Sequence, residues 1–144
     1  MPRVLVICVA GVALLIFLLD AIIVTDAEFV EERTADLVRL SNENGDHVSA
    51  GLLDALADDY VDASGLSRAQ IERYLERYLE KYKDRRVTTG GIDAVWKEKD
   101  QAYSIWLMVH AHFAHTDYVF PLVIYWAERG DDWKIVKMTN HWKG

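Results

Sequence analysis

The sequence predicts an α+β domain placed behind an N-terminal apolar helix. Three observations carry that expectation. Between Asp26 and Tyr82 apolar side chains recur at helical spacing; from Arg86 onward the period and the residue types become those of strands; and ahead of Thr25 runs a stretch of apolar residues long enough to cross a membrane. This divides the chain into residues 1–25, an anchor, and residues 26–144, the α+β domain.

"VLVICVAGVALLIFLLDAIIV", Val4 to Val24, is apolar except for Asp20. At about 1.5 Å of rise per residue, a helix of this length matches a hydrocarbon core of roughly 30 Å. Arg3 and the amino terminus put positive charge before the span, and five acids lie between Asp26 and Asp36 after it. The positive-inside bias then places the N-terminus in the cytoplasm and the domain outside it, periplasmic or extracellular. The run is longer than the h-region of an ordinary signal peptide, which favours an uncleaved single-pass anchor. A cleaved signal peptide, with Thr25 and Ala27 as small residues near the cut, is the alternative. Cys8 is the single cysteine, so no internal disulfide forms. It is also not a lipidation site, because Ile7 precedes it and the apolar run follows it. Asp20 lies about one turn from the exit end, where a carboxylate costs less than the roughly 2.5–3.5 kcal/mol it would cost at the bilayer centre.

The first helix of the domain starts at a T-x-x-E capping box, Thr25 with Glu28, and runs to about Glu43. "NENGD" ends it, with Gly45 as the expected residue after its C-cap. A second helix carries Val48, Leu52, Leu53, Leu56 and Ala57 on one face, with Tyr60 just beyond. Ser67 and Gln70 open a third, on which Ile71, Tyr74, Leu75, Tyr78, Leu79 and Tyr82 form one continuous stripe. Tyr74 and Tyr78, with Tyr60, Tyr103 and His141, are the candidate pocket residues, although a stripe at this spacing is also what a core requires. The cationic run "KYKDRR" at 81–86 suits the negative end of that helix dipole.

From Arg86 four segments rich in β-branched and aromatic residues follow: "VTTGGIDAVW", "AYSIWLMVHAHFA", "YVFPLVIYWA" and "WKIVKMTNHW". Short polar turns, "KEKD", "HTD" and "ERGDD", separate them. The expectation is a four-stranded antiparallel meander, with a bulge at Gly90–Gly91. In the third strand Tyr118, Phe120, Leu122, Ile124 and Trp126 share one face, and Val119, Pro121, Val123 and Tyr125 the other. One layer of helices covers a single face, so the uncovered one is expected to meet a partner.

"LLDALADDYVDASGLSRAQIERYLERYLEKY" at 52–82 and "GDDWKIVKMTNHW" at 130–142 resemble the nuclear transport factor 2-like (NTF2-like, SnoaL-like, cone-shaped) superfamily: a helix, a short DDY extension, the next helix, and a closing strand after an acidic turn. The resemblance covers roughly residues 28–142. It implies a bent sheet wrapped around helices, often with an apolar pocket, and dimers formed through the outer face of the sheet. The superfamily spans isomerases, dehydratases, hydrolases, polyketide cyclases and members without catalysis, so fold alone names no activity. Its enzymes hold carboxylate or His–Asp pairs inside the cone. No motif in this chain matches such a set, and no catalytic residue is carried over.

"HAHFAH" at 110–115 raises the question of a metal site. Side chains alternate along a strand, so Tyr103, Ile105, Leu107, Val109, Ala111 and Phe113 form an apolar face suited to the core. His110 and His112 then fall on the outer face. A His-x-His pair offers two zinc ligands, but a site needs a third or fourth with supporting contacts, and no spacing selects one. No metal or cofactor is expected. Asp59 and Asp62 beside Tyr60, or His141 across the fold, would make an acid–base group only if buried against a substrate. The net charge of −7 is uneven: Thr25–Asp62 holds eleven acids and two bases, whereas residues 63–144 hold thirteen bases and eleven acids. No basic face results, which excludes nucleic acid as a partner. The reading that follows is a membrane-anchored domain with a non-catalytic binding or assembly role, as a homodimer or with an envelope protein through its sheet. A small-molecule enzyme using the cone pocket is the alternative.

Overall fold

The computed structural model describes residues 10–12 and 25–140. Of the expected anchor only Ala10–Val12 are described, as helix, and the rest lies outside the described residues, as does His141. Among the described residues no helix is long and apolar enough to cross a membrane.

Helix α1 spans Asp26–Ser41. Thr25 caps it as expected, its hydroxyl accepting from Glu28 N at 3.2 Å. The helix buries Val30 and Thr34 against the sheet. Thr34 Oγ1 donates to the Val30 carbonyl at 2.7 Å and accepts from Trp126 Nε1 at 3.0 Å, so the buried indole N–H is satisfied from the helix. The helix ends at Asn42, earlier than Gly45 suggested. Asn42 acts as a detached peptide group: its Nδ2 donates to Val87 O at 2.7 Å and its Oδ1 accepts from Val87 N at 2.6 Å. Gly45, with φ of 124°, does not close α1 but forms the N-cap of α2, Asp46–Asp54.

The second helix is shorter than its apolar pattern implied. Leu56 and Ala57 leave it and run beside the last strand, where Ile135 N donates to Ala55 O at 2.7 Å and Ala57 N donates to Ile135 O at 2.9 Å. An exposed sheet edge is thereby covered by backbone that the spacing alone would assign to helix. Helix α3, Arg68–Lys81, begins at the Ser67–Gln70 capping box with both reciprocal bonds present. Arg68 Nε ties its start to Leu53 O at the end of α2 (3.2 Å). At its far end Arg85, from the cationic run, does more than balance a dipole. Its guanidinium donates to Ser41 O (2.7 Å), Leu79 O (3.1 Å) and Tyr82 O (3.0 Å), and also to Glu43 O, clamping the C-termini of α1 and α3 together.

The sheet is antiparallel and has five strands, not four: β1 Arg86–Thr89, β2 Ala94–Lys97, β3 Ala102–Phe113, β4 Thr116–Arg129 and β5 Asp132–Thr139. β1 and β2 are the two halves of the segment read as one strand, and both pair with the same edge of β3. Thr89 faces Val109 and Ala94 faces Ile105, so residues 90–93 lie opposite the shorter stretch 106–108. The extra residue expected at Gly90–Gly91 is present, but it breaks the strand instead of merely bulging it. A second irregularity lies between β4 and β5: Tyr125 faces Lys137 and Trp126 faces Ile135, leaving Val136 as the additional residue that bends the sheet. The inner face of β3 is the apolar set the alternation selected. Ile105, Leu107, Val109 and Ala111 join Ile124, Trp126, Ile135, Val30, Leu53, Leu56 and Tyr60 in one core.

Candidate functional site

Helix α3 buries none of its own residues fully. Ile71 and Leu75 on its apolar stripe pack against the core only in part, and clefts remain between this helix and the sheet. Two of them are neighbours and share Ile71. One, of about 510 Å³, is lined by Tyr60, Asp62, Ala63, Ser64, Ile71, Leu122, Met138 and Asn140. The other, of about 350 Å³, is lined by Leu66, Ile71, Tyr74, Leu75 and Tyr78. Both sizes are within the range of small-molecule sites.

Tyr60 is only 1% exposed, and its buried hydroxyl finds no acceptor for its proton, while the Met138 backbone lies near enough to its oxygen to act on it. Burial, and after it the charge of Asp62, push its pKa well above the usual phenol value, against a smaller opposing effect of the Met138 backbone. The group therefore stays protonated and is available as a donor. Asp62 is not poised to take a proton. Its Oδ1 accepts from Ser64 N (2.9 Å), Ser64 Oγ (2.7 Å) and Leu66 N (2.9 Å), closing the tight turn that joins Tyr60 to α3. Burial alone would raise its pKa, but these bonds outweigh it and hold the carboxyl below the usual value.

Asp59 faces away from the cleft. It forms a two-pronged pair with Arg129, Nε to Oδ1 at 3.1 Å and Nη2 to Oδ2 at 3.0 Å. Those bonds lower its pKa, and the pair stands at the surface. The burial against a substrate on which an acid–base role of Asp59 and Asp62 would depend is not what the geometry gives them: one closes an ion pair and the other a turn. Tyr74 and Tyr78 line the second cleft and are largely exposed; they are cleft wall and not core. Tyr103 lines neither cleft. It sits in an aromatic cluster with Trp96 (ring centroids 5.1 Å apart) and Trp133 (5.4 Å). His141 lies outside the described residues.

The histidines divide by strand geometry. His110 and His112 are on the outer face as expected, and His112 Nδ1 lies 2.6 Å from Asp117 Oδ1 on the neighbouring strand. His115 belongs to the two-residue β3–β4 turn with Ala114, both at positive φ (61° and 53°). That turn comes one residue earlier than "HTD" suggested. Among the described residues no group of three or more His, Cys, Asp or Glu side chains is placed to hold a metal ion.

Sequence reasoning missed Leu122 and Met138 as cleft walls and Arg129 as the partner of Asp59. Leu122 was legible as inward-facing. That the inner face stays uncovered at this point was not, because it depends on how far α3 stands from the sheet.

No protein-family model matches the chain, and no curated protein matches it by sequence. Solved structures do match. Bd1075 of Bdellovibrio bacteriovorus superposes with a TM-score of 0.63 at 13% identity, covering 76% of this chain but only 38% of that one. An NTF2-like protein of unknown function from Pseudomonas putida KT2440 gives 0.58 at 11% identity, covering 76% of this chain and 83% of that one. A hypothetical protein with a ketosteroid isomerase-like fold from Catenulispora acidiphila, solved with trimethylamine, gives 0.51 at 19% identity, covering 77% and 85%. At these identities the likeness concerns architecture alone, and the chain has the α+β fold, a curved antiparallel sheet with helices on its inner side, that these structures call NTF2-like or ketosteroid isomerase-like.

Proposed function

We propose that this chain is a membrane-anchored assembly module, held by residues 4–24 with its domain outside the cytoplasm, whose NTF2-like domain pairs with a second copy through the outer face of its sheet. The observation that carries this reading is the apolar character of that face. Met108 and Val119 on the central strands are each 48% exposed, Val95 beside them 50%, and Trp106 shares the face at 57%. An apolar patch on paired central strands is self-complementary under a two-fold axis, since each residue can meet the same set on its partner. Among the described residues the helices pack on the opposite side of the sheet, and these four side chains of the outer face stay exposed.

The reading is non-catalytic because the carboxylates nearest the clefts are engaged in a turn and an ion pair, and the buried titratable group among them, Tyr60, is held protonated. Catalysis by general acid–base transfer needs a group whose pKa lies near the working pH and a second group oriented against it.

Sedimentation of residues 26–144 tests the pairing, since the buried core of the described residues lies within them. The expected result is a dimer at tens of micromolar, converted to monomer by Met108→Lys; a monomer throughout contradicts it. A reporter that works only outside the cytoplasm, fused after Gly144, tests the orientation and should be active. An inactive external reporter with an active cytoplasmic one reverses it.

A further inference from the structure

We propose that His110 and His112 hold a zinc-class divalent ion jointly with the same two residues of a second copy, four imidazoles in all. The inference rests on the pairing proposed above and deepens it, because the ion would tighten that interface.

The spacing of "HAHFAH" offers two ligands without supporting contacts, and the structure supplies one such contact. His112 Nδ1 lies 2.6 Å from Asp117 Oδ1 across the β3–β4 ladder. A carboxylate only accepts, so in the neutral ring Nδ1 carries the proton and Nε2 keeps the lone pair that binds a metal. Histidines that ligate metals are held in this way, the second ring nitrogen donating to a carboxylate that fixes tautomer and ring. His110 lies two residues back on the same outer face and is exposed. Its register neighbours are Val119 on β4 and Thr88 on β1, neither of which carries a charge. The charge around His112 also suits a cation. The cleft beside it, about 400 Å³, is lined by Asp84, Asp117 and Arg86, two carboxylates against one guanidinium.

One chain stops at two ligands: among the described residues no third His, Cys, Asp or Glu joins them in a group placed to hold a metal ion. Zinc takes four ligands in a tetrahedron, at about 2.0–2.1 Å from an imidazole nitrogen. A two-fold axis supplies the missing pair, since it sets the same residues of the second copy on the other side. Trp106, Met108 and His110 alternate along the outer face of β3, with Val119 beside His110. An axis running along β3 therefore sets Met108 against Met108 and gathers the four histidines at one end of the apolar patch. Sheets packed face to face lie about 10 Å apart, a space that opposed imidazoles with an ion between them fill. The two Asp117 carboxylates balance the double charge of the ion.

The test uses the full chain, without a histidine tag, in density-matched detergent. Zinc retained after equilibrium dialysis is counted by mass spectrometry, and association is read by sedimentation with zinc sulfate or with EDTA. The expected result is one zinc for two chains, and a dimer about tenfold tighter or more with zinc than with EDTA. His110→Gln and His112→Gln together should abolish both effects and leave the dimer in EDTA as it is in the wild type. Asp117→Asn should weaken zinc about tenfold or more, as loss of a supporting carboxylate does. Met108→Lys, which separates the copies, should lose the zinc along with the dimer. A dimer equally tight with zinc and with EDTA overturns this inference and leaves the pairing standing. One zinc per chain, kept by Met108→Lys, also overturns it, since the site would then lie within a single copy. A monomer in both conditions, with no zinc retained, overturns the inference and the pairing together.

Discussion

Thr34 shows how much a single hydroxyl can hold in this fold. It is buried on α1, accepts from the Trp126 indole and donates to its own helix, so it joins helix to sheet at the centre of the core. Thr34→Ala leaves the indole N–H without a partner in a site closed to water. The expected loss is about 1–3 kcal/mol, read as a lower urea midpoint with an unchanged slope; an unchanged midpoint would mean that water replaces the hydroxyl. Asp132 behaves differently, because its contribution depends on charge. Burial alone would raise its pKa, but the Trp133 N–H at 2.8 Å, the Arg33 guanidinium at 3.0 Å and Lys134 at 3.4 Å together hold it below the usual value. A carboxyl that titrates lower when folded binds fewer protons than the unfolded chain does in acid. Its contribution is complete above the unfolded value of about 3.9 and is lost as pH falls through the folded value. Asp132→Asn should therefore narrow the difference in urea midpoint between pH 7 and pH 3, and an equal difference in both proteins would contradict this account.

Among the elements, those written by neighbours in sequence were the legible ones. The caps at Thr25 and Ser67 and the alternation along β3 need only three to twelve consecutive residues to declare themselves, and the structure follows each. The spacing of Leu52, Leu53 and Leu56 fits a helix, yet Leu56 runs beside Ile135, because the free edge of β5 offers the Ala55–Ala57 backbone a partner that lies far along the chain. Gly45 was read as a stop and serves as a start for a similar reason: a positive φ suits either end, and only the path of the chain decides. The β3–β4 turn leaves a mark that sequence did not reveal. Ala114 and His115 both occupy the left-handed region, where a non-glycine residue costs roughly 1–2 kcal/mol. Asn-Gly is the pair that such two-residue turns favour. Replacing Ala114 by Asn and His115 by Gly should raise stability by about 1 kcal/mol or more. A destabilised double variant would mean that His115 has a structural role beyond the turn.

At the scale of the whole molecule, the α+β order and the inward face of the sheet could be read from the periods alone, and the neighbouring structures bear out the architecture. The site could not be read as far, because it depends on a gap. Tyr60, Tyr74 and Tyr78 were identifiable as residues of interest, but how far the stripe on α3 stands from the sheet depends also on the clamp by which Arg85 reaches the carbonyls of Ser41 and Glu43, which lie far back along the chain and leave no local signature. The central claim is that the exposed face of the sheet pairs two copies at the membrane. The measurement that tests it most directly is cysteine cross-linking in intact cells. With Cys8→Ser removing the single native thiol, Met108→Cys places one sulfur at the middle of the proposed interface. The account predicts that mild oxidation converts the full chain to a disulfide-linked dimer, while Glu72→Cys, on the exposed side of α3, stays monomeric under the same conditions. Equal yields from the two positions, or a Met108→Cys chain that remains monomeric, would contradict it.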